Sequence, residues 1–233
     1  MGLDPNAMDA FGLGAEDRAA WLATGLSEEA FDDWLMDRVA RRPRGTRARE
    51  VYGAEDVHDF ARLAILDALA PGLGDRLIDI GCGGGLLLRD AIGRGAEATG
   101  VDHSDDMVVL ARKRAPAAAV VLAAAEALPF GENAFTAVSM SIVFVFLPHP
   151  LAALRESRRV LAPGGRLAVY TTSEELRGTP AAPEPFASRA FFHSDAELIA
   201  LAKGAGFGAV SVDRHDGAQL LTGRALRSNL DIE

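Results

Sequence analysis

Residues 76–90, RLIDIGCGGGLLLRD, constrain the fold more than any other part of the chain. Five residues of strand character run into glycines at 81, 83, 84 and 85, and the chain then continues in a helical pattern. A strand that turns through glycines into a helix aims backbone N–H groups and the positive helix end into one crevice. Glycine also lets a ligand come close to that backbone. A plain tight turn would use the same residues, so the spacing has to decide. The dinucleotide fingerprint needs a glycine at its sixth position, which here is Leu86. A nicotinamide or flavin enzyme is therefore disfavoured.

From residue 76 onward, β-branched runs alternate with helical patterns, which predicts an α/β fold with a mostly parallel sheet and helices on both faces. Strands are expected at 76–80, 96–102, 118–124, 134–141, 165–172, 208–214 and 218–225, and helices at 85–93, 105–115, 150–161 and 195–204. Ser194 with Glu197 forms a capping box, and Ser104 ahead of two aspartates is an N-cap. LAPGG at 161–165 stops a helix and turns into the next strand. Asp216-Gly217 predicts a tight antiparallel hairpin at the end of the sheet.

Before residue 75 the pattern is helical only, at 27–42 and 54–70, with Phe60, Leu63, Ala64 and Leu66 or Asp67 as candidates for the buried face. This reads as a helical cap over residues 1–54 on a ligand-binding domain at 55–233. The proline-rich stretch 173–193 has the length of a lid loop. Six arginines at 38–49 form either a solvated connector or a site for an anionic group.

With 233 residues, 49% of them apolar, the chain can bury a full core. Its formal net charge of −9 gives no general pull towards nucleic acid or an anionic membrane. One cysteine excludes an internal disulfide and a cysteine-based metal cluster, and no metal site is expected. A reducing, cytoplasmic setting follows as the default. The opening MGLDPNAMDAFGLG lacks a basic leader and an apolar run, so no signal peptide is expected there. Residues 134–148 are apolar but too short to span a membrane, and read as a buried strand with its continuation.

The second expected strand ends at Asp102, where a carboxylate can accept hydrogen bonds from ribose hydroxyls or simply open the Ser104 cap. LIDIGCGGG, GVDHSDDM, AAEALPFGENAFTAV and RVLAPGGRLAV, in that order, resemble the motifs of class I S-adenosylmethionine-dependent methyltransferases. The resemblance covers roughly residues 55–225 and is nearest to the subgroup acting on small molecules. It implies a Rossmann-like seven-stranded sheet whose last strand is reversed, and S-adenosylmethionine as cofactor with S-adenosylhomocysteine as product. Asp79 with the Gly81, Cys82, Gly83 and Gly85 turn would hold the methionine part, and Asp102 the ribose. His103 and Met107 would flank the adenine, beside Ala125 and Glu126; Met107 serves equally as a core residue. Met140 and Ser141 would offer backbone contacts to the methionine end.

Two departures from the family pattern bear on the chemistry. Ala124 stands where relatives often have an acid for the adenine amino group. FVFLPHP carries Val145 and Phe146 where many relatives have histidines, and His149 where they have an acid. His149, His193 and Tyr52 are the side chains available to take a proton or position an acceptor, although both histidines also fit structural roles near helix starts. Phe144, Phe146, Phe191 and Phe192 suit either an acceptor pocket or the core. The leading function is methyl transfer by in-line displacement to O, N, C or S of a small metabolite. The alternatives are a binding module or repurposed non-methylating enzyme on the same fold, and a nucleic-acid methyltransferase using the arginine run. A small-molecule acceptor is the expected partner, with no membrane, and a homodimer is compatible with the sequence.

Overall fold

A computed structural model describes residues 8–9, 11–56, 58–215 and 217–226. Its centre is a seven-stranded sheet made of β1 (Arg76–Ile80), β2 (Glu97–Asp102), β3 (Ala119–Leu122), β4 (Phe135–Ser141), β5 (Leu161–Thr172), β6 (Phe207–His215) and β7 (Ala218–Ala225). The strands lie in the order β3-β2-β1-β4-β5-β7-β6, and only β7 runs against the rest. The sheet reverses its winding beside β1, so the tips of β1, β2 and β4 open a crevice at their carboxyl ends.

β1 is buried from its second residue to its last, as befits a central parallel strand covered on both faces. Its side chains alternate between two cores. Ile78 and Ile80 join one core and Leu77 the other. The first core packs under α7 (Pro150–Val160) and α8 (Asp195–Gly204), through Leu154, Leu198 and Ala202. The second packs under α4 (Asp59–Leu69), α5 (Leu86–Gly93) and α6 (Asp105–Arg114), through Ile65, Leu88 and Ala111. Each fully buried Leu or Ile contributes about 1.5–3 kcal/mol to this layering.

Helix starts follow the local chemistry. Ser104 accepts from the Met107 N–H, and Ser194 and Glu197 complete a reciprocal capping box. The expected turn at 161–165 is instead a bulge within β5. Phe135 pairs with Leu161 and Ala137 already with Arg166, while Gly164 takes φ +79° to absorb the extra residues. At the hairpin, Gly217 has φ +81°, and Asp216 lies outside the described residues.

The N-terminal region is more broken than periodicity suggests. α1 (Ala15–Thr24) and α3 (Gly45–Gly53) were not expected, and the helix expected at 27–42 is a short 3-10 turn, then α2 (Phe31–Met36), then a π-turn at Asp37–Arg41. Trp21 sits edge-on to Phe31 at 5.2 Å and tilted against Trp34 at 5.2 Å, giving this region its own small core with Leu13 and Leu35. α4 starts at Asp59 rather than 54, because His58 takes φ +54° and cannot extend a helix. Its buried face is Ala61, Ile65, Leu66 and Leu69, whereas Phe60 and Leu63 are exposed. The arginine run is ion-paired, with part of it still exposed. Arg38 pairs with Asp17 at 2.7 Å, Arg44 with Asp37 at 2.7 Å and Arg49 with Asp106 at 3.0 Å.

Candidate active site

After β1 the chain turns with φ +73° at Gly81 and +49° at Gly83, conformations that tax any residue with a Cβ. A Cβ on Gly81 would stand 2.1 Å from Val143 Cγ2. The turn is tied to β2, because the Gly81 and Cys82 N–H groups both donate to the Val101 carbonyl, at 2.7 and 3.0 Å. The Gly83 N–H donates to Asp102 Oδ2 at 2.9 Å, and the Ser104 N–H to Asp102 Oδ1 at 2.9 Å. Asp102 thus fastens the glycine turn and the α6 start together, yet a carboxylate oxygen keeps capacity for further donors.

Asp79 lies beside it, 2% exposed, accepting from Ser139 Oγ at 2.7 Å. Burial pushes its carboxyl up to about 7, the Ser139 hydroxyl pulls it back, and the Asp102 charge adds to the rise. Burial also raises the Asp102 carboxyl against the pull of its backbone donors. Two buried acids side by side form a place that a positively charged or hydroxyl-rich ligand would stabilise.

Both acids border empty space. A cavity of about 960 Å³ lies over the carboxyl ends of β1, β2 and β4 and is lined by Gly81, Gly83, Asp102 and Ser141. A smaller one of about 70 Å³, reached by Asp79, Arg62, Tyr52 and the glycine turn, adjoins it. The larger volume sits at the upper end of small-molecule sites.

The sequence-expected residues divide clearly. Tyr52, Gly81, Gly83, Asp102, His103, Met107, Ala125, Glu126 and Ser141 line the larger cavity, and Ala124 and Phe146 do too. Asp79 and Cys82 reach only the smaller one. Cys82 points into the core, its sulfur 2.8 Å from where a Cβ on Gly100 would sit, and burial drives its thiol far above the ordinary range. Gly85 and Met140 line neither cavity. Gly85 lets α6 approach, since a Cβ there would meet Ala111 Cα at 2.9 Å, and Met140 is fully buried in the core. His149 and His193 are not brought to either cavity. His149 is exposed ahead of α7, and His193 stacks edge-on to Phe144 at 5.6 Å.

Residue patterns missed several cavity-lining groups: His58, Phe60, Tyr170, His215 and Arg62. Tyr170 had a usable signal, being near the carboxyl end of a central strand. Arg62 is 9% exposed, pairs with Asp59 at 2.6 Å and Asp90 at 3.0 Å, and leaves its Nε–H without an acceptor among the described residues. Tyr52 is half-buried, and desolvation with the Asp102 charge pushes its phenol up to about 12, so it stays neutral and donates. Burial lowers the His58 imidazole, which favours the neutral ring.

The N-terminal helices cover this site through α6. Ser104 Oγ donates to the Pro43 carbonyl at 2.6 Å, Asp106 accepts from the Gly45 N–H at 2.7 Å, and Arg114 donates to the carbonyls of Tyr52 at 2.9 Å, Gly84 at 3.0 Å and Gly53. On the other side, Arg41 donates to the Arg189 carbonyl at 2.7 Å, and Arg189 pairs with Asp33 at 2.9 Å.

Residues 78–169 match the family model described as a methyltransferase domain. The chain is 38% identical over 129 residues to a ubiquinone/menaquinone biosynthesis C-methyltransferase UbiE of Roseobacter denitrificans, a match covering 51% of this chain and 50% of that protein. It is 35% identical over 135 residues to a demethylmenaquinone methyltransferase of Beutenbergia cavernae, covering 58% of this chain and 55% of the other. The chain thus spans about half the length of the curated relatives it matches. Among solved structures, phosphoethanolamine N-methyltransferase 2 of Haemonchus contortus in complex with S-adenosyl-L-methionine shares the fold, with a TM-score of 0.70 at 17% identity over 87% of this chain and 61% of that one. Residues 78–169 are thus similar to a methyltransferase domain, and the chain shares the fold of an S-adenosyl-L-methionine-bound methyltransferase.

Proposed function

We propose that the chain transfers a methyl group from S-adenosylmethionine to O, N, C or S of a small organic molecule. The observation that carries this reading is the pair of buried carboxylates, Asp79 and Asp102, flanking a left-handed glycine turn on the wall of the large cavity. The donor set fits the cofactor: Asp79 for an ammonium, Asp102 for vicinal hydroxyls, and the Nε–H of Arg62 and the Tyr52 hydroxyl as donors at the small cavity for a carboxylate. When bound, S-adenosylmethionine supplies an electrophilic methyl on a sulfonium.

The chain's residues then orient the acceptor and exclude water. Tyr52, neutral and packed beside Gly83, offers a donor at that end of the cavity, and the neutral imidazole of His58 offers a lone pair. In this reading residues 1–54 act as a cap, 55–233 as the cofactor-binding domain and 173–193 as a lid. Among the described residues no helix is long and apolar enough to cross a membrane. A cytoplasmic setting, with a homodimer as one assembly, completes the proposal. The quinone chemistry in the relatives' names is one acceptor chemistry to assay.

Calorimetry with S-adenosylhomocysteine tests the site directly. The parent chain should bind, and Asp102→Ala should weaken binding roughly 100-fold by removing charge-assisted hydrogen bonds. Equal affinity of parent and variant would overturn the assignment. Binding without a methyl mass gain on any of a broad acceptor panel would leave a binding module or a non-methylating enzyme.

A further inference from the structure

The two cavities meet at a passage. Asp79 lies on the small one and Asp102 on the large one, so a ligand held by both carboxylates has to thread from one to the other. Tyr52, His58, Gly81, Gly83 and Ser141 line both cavities and therefore border the passage. In S-adenosylmethionine the atom between the ammonium-bearing arm and the ribose is the sulfur. It is positively charged before the methyl leaves and neutral afterwards, which is the main electrostatic difference between cofactor and product.

Among the described residues of the passage, His58 alone can change its charge near neutral pH. The Tyr52 phenol is pushed up to about 12 and stays uncharged. The other histidines stand elsewhere: His103 and His215 line the large cavity alone, and His149 and His193 line neither. His58 is also fixed in place. Its backbone is left-handed, at φ +54° and ψ +34°, a costly conformation for a residue with a Cβ. Its carbonyl accepts from the Ala61 and Arg62 N–H groups at 3.1 Å each, which ties it to the first turn of α4. Its ring stands edge-on to Tyr52 on one side and Phe60 on the other, 6.2 Å from each.

The surroundings of the ring set its charge. Burial lowers the imidazole, and the positive end of the 11-residue α4 acts in the same direction. On the small cavity it stands with Tyr52 of α3, Arg62 of α4 and Asp79 of β1, and on the large one with Asp102 of β2. Glu55, Asp56 and Asp59 flank it along the chain; Arg89 and Arg114 engage Glu55, and Arg62 engages Asp59. A ligand whose ammonium and hydroxyls occupy Asp79 and Asp102 brings its sulfur to the ring, and an imidazolium there would repel a sulfonium.

We propose that His58 is the residue that distinguishes cofactor from product: its neutral ring accepts the positive sulfur of S-adenosylmethionine, whereas its protonated ring rejects that sulfur and still admits S-adenosylhomocysteine. This deepens the methyl-transfer reading and rests on it for the identity of the ligand. Acidification below the ordinary imidazole value of 6.5 then favours product over cofactor, so product inhibition deepens as pH falls.

The test titrates both compounds by calorimetry into the full chain, from about pH 7.5 down to about pH 5.5. The ratio of the two affinities cancels what the ligands share, the ammonium on Asp79 and the hydroxyls on Asp102. In the parent that ratio should move towards S-adenosylhomocysteine by roughly three-fold or more. His58→Asn, which suits a left-handed backbone and does not titrate, should show only a small part of that movement. Proton NMR of the parent reads the ring directly, its signal identified by its loss in His58→Asn. The His58 midpoint should lie at least about half a pH unit lower with S-adenosylmethionine than with S-adenosylhomocysteine, while His149 and His193 titrate alike with both. The proposal is overturned if the His58 midpoint is the same with both ligands, or if parent and His58→Asn move equally. A chain that binds neither ligand sinks the methyl-transfer reading and this inference with it. Binding of both without a His58 response sinks this inference alone.

Discussion

Asp79 occupies a position where a negative charge is costly, under the glycine turn and beside a second acid. Its carboxyl, near 7 in the folded chain against an ordinary 3.8, keeps a proton that the unfolded chain has already released. Stability should therefore fall as pH rises from about 4 to about 7, with the penalty complete above that. Asp79→Asn keeps an acceptor for Ser139 and removes the ionisation. Denaturant unfolding should show the variant gaining on the parent between pH 5 and pH 8, by on the order of 2–4 kcal/mol at the higher pH. The same variant should bind S-adenosylhomocysteine at least ten-fold more weakly at pH 8, where the ammonium loses its anionic partner. A gain in stability without that loss of affinity would separate Asp79 from the cofactor. Asp102 and the glycine turn were legible in sequence because strand tip, turn and helix cap are consecutive. Tyr170 and His215 become neighbours only through the sheet, from strands on either side of β7, and no local pattern joins them. Choosing His149 and His193 by residue type alone led away from the cavity.

α6 couples the parts of the molecule at the level of elements. Its first turn holds Asp106 against Gly45 and Arg49, and its last residue, Arg114, holds the end of α3 and the glycine turn together. Arg114→Met would leave four carbonyls, those of Tyr52, Gly53, Ala54 and Gly84, without that donor. The opening free energy of α3 should fall by about 2 kcal/mol, seen as roughly thirty-fold faster amide exchange at residues 45–53 with β1 and β4 unchanged. Uniform acceleration over the whole chain would show a global effect instead. The Ser104 and Ser194 helix starts were readable because a cap is written in four consecutive residues. α3 was not, since Arg44 just ahead of it and Arg49 within it find their acids on Asp37 and Asp106, outside the helix itself.

At the scale of the whole molecule, the βα rhythm was enough to indicate a doubly wound sheet, because alternating elements with short connections admit few topologies. The order β3-β2-β1-β4-β5-β7-β6 needed the family resemblance as well, since nothing local says that β7 inserts between β5 and β6. If ligand and fold are linked as proposed, S-adenosylhomocysteine at a hundred times its dissociation constant should stabilise the chain by about 2.7 kcal/mol. That corresponds to a rise in Tm of about 5–10 °C, read by calorimetric scanning, and Asp102→Ala should abolish it at the same ligand concentration. α6, about 15 Å long, meets Asp102 at its start and α3 at both its first turn and its last residue. Reciprocity then applies to that rod as to any pair of linked equilibria: whatever seating α3 adds to cofactor affinity, the cofactor returns in full to the seating of α3.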